Sequence, residues 1–190
     1  MLIGVLVPIV GAAYVWKPIT PTKIWTLPTP SVSADSTTVR VLTKNEQVLQ
    51  YVVQQGKKLA PSYKKVVCTD YIIRVISNFY KLTAKERHDI QILTNKELKP
   101  LIKANAPVIK GVYTALIKSG KGVAVKRSEV KPGDFVQFWF VWRSGSYGHC
   151  GVVKSIGKNT LTLYSSRPAS DGFSVHTYPF PHKAYFVRLK

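Results

Sequence analysis

The amino-acid sequence predicts an α+β fold, on three observations. From Thr43 to Gly120 apolar residues recur at helical spacing. From Lys131 onward short β-branched and aromatic runs alternate with turn residues. The two kinds of segment are segregated along the chain, helices first, which suits helices packed on an antiparallel sheet rather than a βαβ repeat.

Taken in order, residues 2–16 are apolar or small throughout. Fifteen residues fall short of the roughly 20 that span a bilayer, so a signal peptide or short membrane anchor is expected, with Tyr14 and Trp16 suited to an interface. Residues 17–38 carry Pro18, Pro21, Pro28 and Pro30 among Thr and Ser, the composition of an extended linker. The domain is expected over 39–190. Thr43 and Glu46 have capping-box spacing and open a helix over about 44–55, stopped at Gly56. Pro61-Ser62-Tyr63 turns the chain into a second helix from Cys68 to about Tyr80, with Tyr71, Ile72, Val75, Ile76 and Phe79 on its apolar side. Helical patches are expected over 83–93 and 96–104, and a further helix over 108–119. Lys131-Pro132-Gly133-Asp134 is a turn, followed by a strand from Phe135 to Trp142. Residues 144–148 read as a loop, and His149 opens a strand that runs to Ile156. Gly157-Lys158-Asn159 makes a hairpin turn, with the return strand over 160–164. A polar loop over 165–172 and a last strand over 185–189 complete the chain.

With 45% hydrophobic and 11% aromatic residues among 190, the chain can bury a real core, which excludes global disorder. Lys and Arg number 28 against 9 acidic residues, for a net charge of +19. Such a charge selects anionic partners: a cell-wall polymer, an anionic membrane or nucleic acid. The basic residues are scattered, with no Arg-rich helix, finger spacing or ribonucleoprotein signature, so nucleic acid is the disfavoured partner. The four His and two Cys lack zinc-ligand spacing, so no metal and no cofactor is expected.

The chemistry centres on Cys68. A thiol in the first turn of a helix meets free backbone N–H groups and the positive end of the macrodipole, both of which favour thiolate. Those N–H groups can also receive an oxyanion. Downstream, His149 at the head of a strand offers an imidazole to take and return a proton. If His149 faces that site, alternation along the strand turns Cys150 to the other face. Cys150 is then a small buried hydrophobe rather than a disulfide partner of Cys68.

These residues resemble a known superfamily. Cys68-Thr69-Asp70-Tyr71 on a helix, Lys131-Pro132-Gly133-Asp134-Phe135-Val136-Gln137-Phe138, and Gly148-His149-Cys150-Gly151-Val152-Val153 are similar to the papain-like NlpC-type and CHAP-type cell-wall peptidases and amidases. The similarity spans about residues 44–166, and Cys before His argues against the permuted acyltransferase branch. The resemblance implies a papain-like fold and hydrolysis of an amide in peptidoglycan stem peptides through a thioester. Cys68 is then the nucleophile and His149 the general base and acid. The imidazole-orienting residue of such proteins lies on the strand after the His strand, which here brings up Ser165 or Ser166 where a His, Asn, Gln or Glu is usual. His176 is the alternative if its loop folds back. Asp70, Trp142 and Tyr147 are candidate substrate-binding residues, Asp70 being better suited to a local cap or pairing.

The resemblance also implies an extracytoplasmic place, exported or anchored at a bacterial envelope, with peptidoglycan or another anionic wall polymer as partner. An effector toxin of this kind would have an immunity protein. The Lys-rich interlude over about 81–125 is expected to form one wall of the cleft. Two other readings stay open: a catalytically silent binding module of the same fold, and a basic protein that binds an anionic polymer or nucleic acid.

Overall fold

Helix α1 (Lys44–Leu59) begins at the expected capping box, in which Thr43 and Glu46 satisfy each other's backbone N–H groups. The computed structural model describes residues 40–190; the expected leader over 1–16 and linker over 17–38 lie outside them. On α1, Val48, Val52 and Gly56 are buried. A Cβ on Gly56 would stand 2.3 Å from the Phe173 ring, so the glycine lets the helix lie on the sheet. Helix α2 (Cys68–Ser77) buries Tyr71, Ile72, Ile73, Val75 and Ile76, which places it among other elements on most of its circumference. It stops at Ser77 rather than Tyr80; Phe79 and Tyr80 follow in a turn and still pack on the core.

Helix α3 (Ala84–Gln91) has its own capping box from Thr83 and Glu86, and α4 (Leu98–Lys103) follows a short loop. The single helix expected over 108–119 is broken. A 3-10 turn over Pro107–Lys110 ends at Gly111, whose φ of 48° and ψ of −118° suit only glycine, and α5 (Val112–Lys118) starts there.

Among the described residues six strands form one antiparallel sheet: β1 (Gly122–Val125), β2 (Phe135–Val141), β3 (Ser146–Ile156), β4 (Thr160–Arg167), β5 (Gly172–Pro179) and β6 (Lys183–Leu189). Their order is β1-β6-β2-β3-β4-β5, a β2-to-β5 meander with β6 returning beside β2. The α+β class therefore stands, with more sheet than expected. Strand β1 was not anticipated, β3 starts at Ser146 inside the expected loop, and the polar loop over 165–172 is largely the end of β4 and the turn into an unforeseen β5.

Both sheet faces are covered. Phe135, Cys150, Val152, Val187 and Leu189 pack with α1, α2, α3 and α5 in one core. Val136, Phe138, Val153, Leu161, Leu163, Tyr178 and Phe186, all from strands, form a second core. The Gly133-Asp134 turn locks this arrangement. Asp134 is fully buried and accepts from Arg188 at 2.7 and 2.8 Å, from Asn45 Nδ2 at 2.7 Å and from the Lys131 N–H at 2.8 Å. A buried carboxylate with that many donors is satisfied. It ties α1, β2 and β6 together below the site.

Candidate active site

Cys68 is the first residue of α2, and the N-cap residue Val67 provides no side-chain cap. The first-turn N–H groups are therefore open to an incoming acceptor, as are those of any uncapped helix start. Cys68 is half-buried, with its segment held from below: Ser166 Oγ donates to the Val66 carbonyl.

His149 reaches this point through a fork in the sheet. The ladder between β3 and β4 ends at the Val152–Tyr164 pair, so the start of β3 pairs only with β2, and the end of β4 only with β5. His149 lies where the two diverge, 2% exposed, with Nε2 3.0 Å from Ser165 Oγ on β4. Its ring rests on Phe138, Tyr147 and Tyr178, at centroid distances of 5.8, 5.9 and 5.7 Å. The same imidazole lines the cleft that contains Cys68.

The expectation for Cys150 needs correcting. Alternation does separate it from His149: Cys150 pairs with Gln137 and faces the helices, whereas His149 pairs with Phe138 on the other side. But the helix-facing side is where Cys68 sits, so Cys150 approaches the thiol rather than leaving it, and His149 reaches it through the fork. Both cysteines are free. The Cys150 thiol, as hydrogen-bond partner, is the largest influence holding Cys68 well below the usual thiol range. Burial opposes this, and the His149 imidazole adds a hydrogen bond and its charge in the lowering direction. Cys150 moves the opposite way, pushed well up by burial, then by the Cys68 thiolate and the Asp70 charge. The negative charge of the pair therefore belongs to Cys68, where the helix dipole also favours it.

A cleft of about 170 Å³ opens beside Cys68 and His149. One wall is Gln91, Ile92 and Leu98 from the segment joining α3 to α4, in line with the wall expected from the interlude; the other is Gln137, Trp139 and Gly148 from the sheet. Trp139 is fixed by its indole N–H, which donates to the Ile109 carbonyl at 2.8 Å. Gly148 lies flat on that indole, where a Cβ would stand 2.4 Å from the ring.

Of the other expected site residues, Ser165 meets His149, while Ser166 serves the Cys68 segment instead. Asp70 accepts from Gln91 Nε2 at 3.0 Å, a local pairing that anchors α3 to α2. Trp142 and Tyr147 are not among the residues lining the cleft. They belong to an aromatic stack on the far side of the sheet, Trp142 on Phe140 at 5.6 Å, Phe140 on Tyr147 at 6.4 Å and Tyr147 on His149 at 5.9 Å. His176 is occupied by Arg167 at 3.0 Å and Ser170 at 3.1 Å.

Sequence reasoning missed Gln137, Trp139 and Ile92 as cleft residues, because a strand full of aromatics reads as core and the cleft exists only once α3 and α4 cover it. Tyr178 was also missed; its hydroxyl is buried beside His149 with no partner in hydrogen-bonding geometry among the described residues. Among the described residues no three His, Cys, Asp or Glu side chains gather where they could hold a metal ion, and no helix is long and apolar enough to cross a membrane. No protein-family model, no curated protein and no solved structure matches this chain.

Proposed function

We propose that the chain is a cysteine hydrolase with a papain-like arrangement, cleaving amide bonds in peptidoglycan stem peptides. One observation carries the reading: Cys68 stands at an uncapped helix start with its thiol acidified, beside a His149 that is itself held by Ser165. The Cys68 thiolate attacks the scissile carbonyl, and the oxyanion is received by the first-turn N–H groups of α2. Protonated His149 gives its proton to the leaving amine, so the C–N bond breaks and a thioester remains. His149 then takes a proton from water, which attacks the thioester and releases the acid and the free thiolate.

Ser165 accepts from the imidazolium without carrying charge, which makes the site a Cys–His dyad with a neutral orienting residue. The net charge of +19 suits retention on anionic wall polymers at a bacterial envelope, by an attraction that weakens with salt. Purified stem peptides and whole sacculi, incubated with wild type and with Cys68→Ala, test the proposal. New amine and carboxyl ends are expected with wild type alone; equal product from both proteins would refute it.

The nearness of Cys150 to Cys68 favours one second reading, a silent binding module whose thiols pair on oxidation. Activity that appears only after reduction would show that both states exist. Sacculus binding without turnover in either state would leave the module alone.

A further inference from the structure

We infer that the cleft beside Cys68 is a subsite for one uncharged, apolar side chain of the acyl half of the substrate, of about the size of Leu or a phenyl ring. The inference rests on the hydrolase reading and adds the substrate class to it.

Three features lead there. The first is composition. Apart from Cys68 and His149 the lining residues are Thr69, Gln91, Ile92, Leu98, Gln137, Trp139 and Gly148, with no Lys, Arg, Asp or Glu in a protein that has 37 of them. A carboxylate or ammonium entering such a cleft would lose its water without gaining a counter-charge. The second is size and stiffness. A volume of about 170 Å³ is close to that of an apolar cavity that takes benzene (~150 Å³). Its sheet wall cannot give way easily, with Trp139 pinned to the Ile109 carbonyl and Gln137 buried and donating to the Phe138 carbonyl at 3.2 Å.

The third is Ile92. It caps α3 with φ 56° and ψ 42°, the left-handed region, which a β-branched residue enters only at a cost. Glycine or asparagine ordinarily takes that place at a helix C-terminus. Ile92 is half-buried and packs on the Ile102, Ile109 and Trp139 cluster, and its side chain also forms the cleft wall. Backbone strain kept at a binding wall is the pattern expected of a specificity residue.

The test uses N-acetyl-aminoacyl chloromethyl ketones of alanine, in both configurations, leucine, aspartate and lysine. The Cys68 thiolate displaces chloride to form a thioether, a step that needs no turnover, and the adduct is located by peptide mass. Salt of about 0.3 M screens the net charge so that it does not favour the aspartyl reagent. Alanyl and leucyl reagents are expected to label Cys68 at least ~10-fold faster than aspartyl and lysyl ones, the scale on which apolar pockets discriminate.

Ile92→Gly is expected to lower Tm only slightly, because relief of the left-handed strain offsets part of the lost packing, while the leucyl preference falls. Leu98→Glu, at a rim position 37% exposed, is expected to speed lysyl labelling. Equal rates for all reagents, or a preference for the charged ones in wild type, would overturn the subsite while leaving stem-peptide hydrolysis intact. Selective labelling without any turnover would remove the hydrolase reading and keep the subsite. A Cys68 that none of the reagents labels would overturn both.

Discussion

His149 Nε2 stands 3.0 Å from Ser165 Oγ inside a fork where β3 and β4 have stopped pairing with each other. Both groups are buried, and the hydroxyl gives the imidazole a fixed partner besides Cys68. The fork thus does what a charged third residue would do by attraction: it fixes the ring by geometry.

Ser165→Ala removes the acceptor for the protonated ring. A hydrogen bond from a charged group is worth about 1.5–3 kcal/mol, so kcat/KM should fall roughly 10–150-fold. Ser166→Ala, which frees only the Val66 carbonyl, should lower stability by about 1 kcal/mol and change kcat/KM less than Ser165→Ala does.

Gly148→Ala should push on the Trp139 indole, since the new methyl begins 2.4 Å from the ring. Overpacking of this kind costs about 1–3 kcal/mol. Displacing Trp139 should also reshape the cleft, so activity should fall by more than urea midpoints alone would explain.

Much of this was legible in the sequence. The Thr43/Glu46 box, the apolar face of the Cys68 helix and the aromatic run from Phe135 each obey one local rule, and each element begins where that rule puts it, although α1 runs through the expected stop at Gly56 to Leu59 and α2 ends at Ser77. Strand β5 was not legible. Ser174, His176 and Thr177 lack an apolar alternation, and the strand exists because β4 supplies its hydrogen bonds, a non-local cause. Strand β1 is four residues at an edge, too short for periodicity to register. The side Cys150 takes was misjudged for a related reason. Alternation gives relative faces along one strand, but which face meets α2, and that His149 reaches round it through a fork, are set by tertiary packing.

Glu86 offers a check away from the site. Burial alone would raise its pKa, but Lys121 and the Thr83 cap together hold it at about 2. A carboxyl depressed on folding contributes stability above its unfolded value of about 4.3, and loses it as pH falls toward the folded one. Glu86→Gln should therefore cost about 1–3 kcal/mol at neutral pH in urea unfolding. The gap to wild type should close as pH falls from about 4 to 2.

The central claim is that Cys68 is a nucleophile made ready by its neighbours, and the pH dependence of its alkylation tests that most directly. Iodoacetamide labelling, followed separately at Cys68 and Cys150, should give a Cys68 midpoint below the ~8.5 of an ordinary thiol. In His149→Ala that midpoint should rise, while Cys150 stays nearly inert in both proteins. A Cys68 that titrates like an ordinary thiol, no faster than Cys150 and unchanged by loss of His149, would contradict the account.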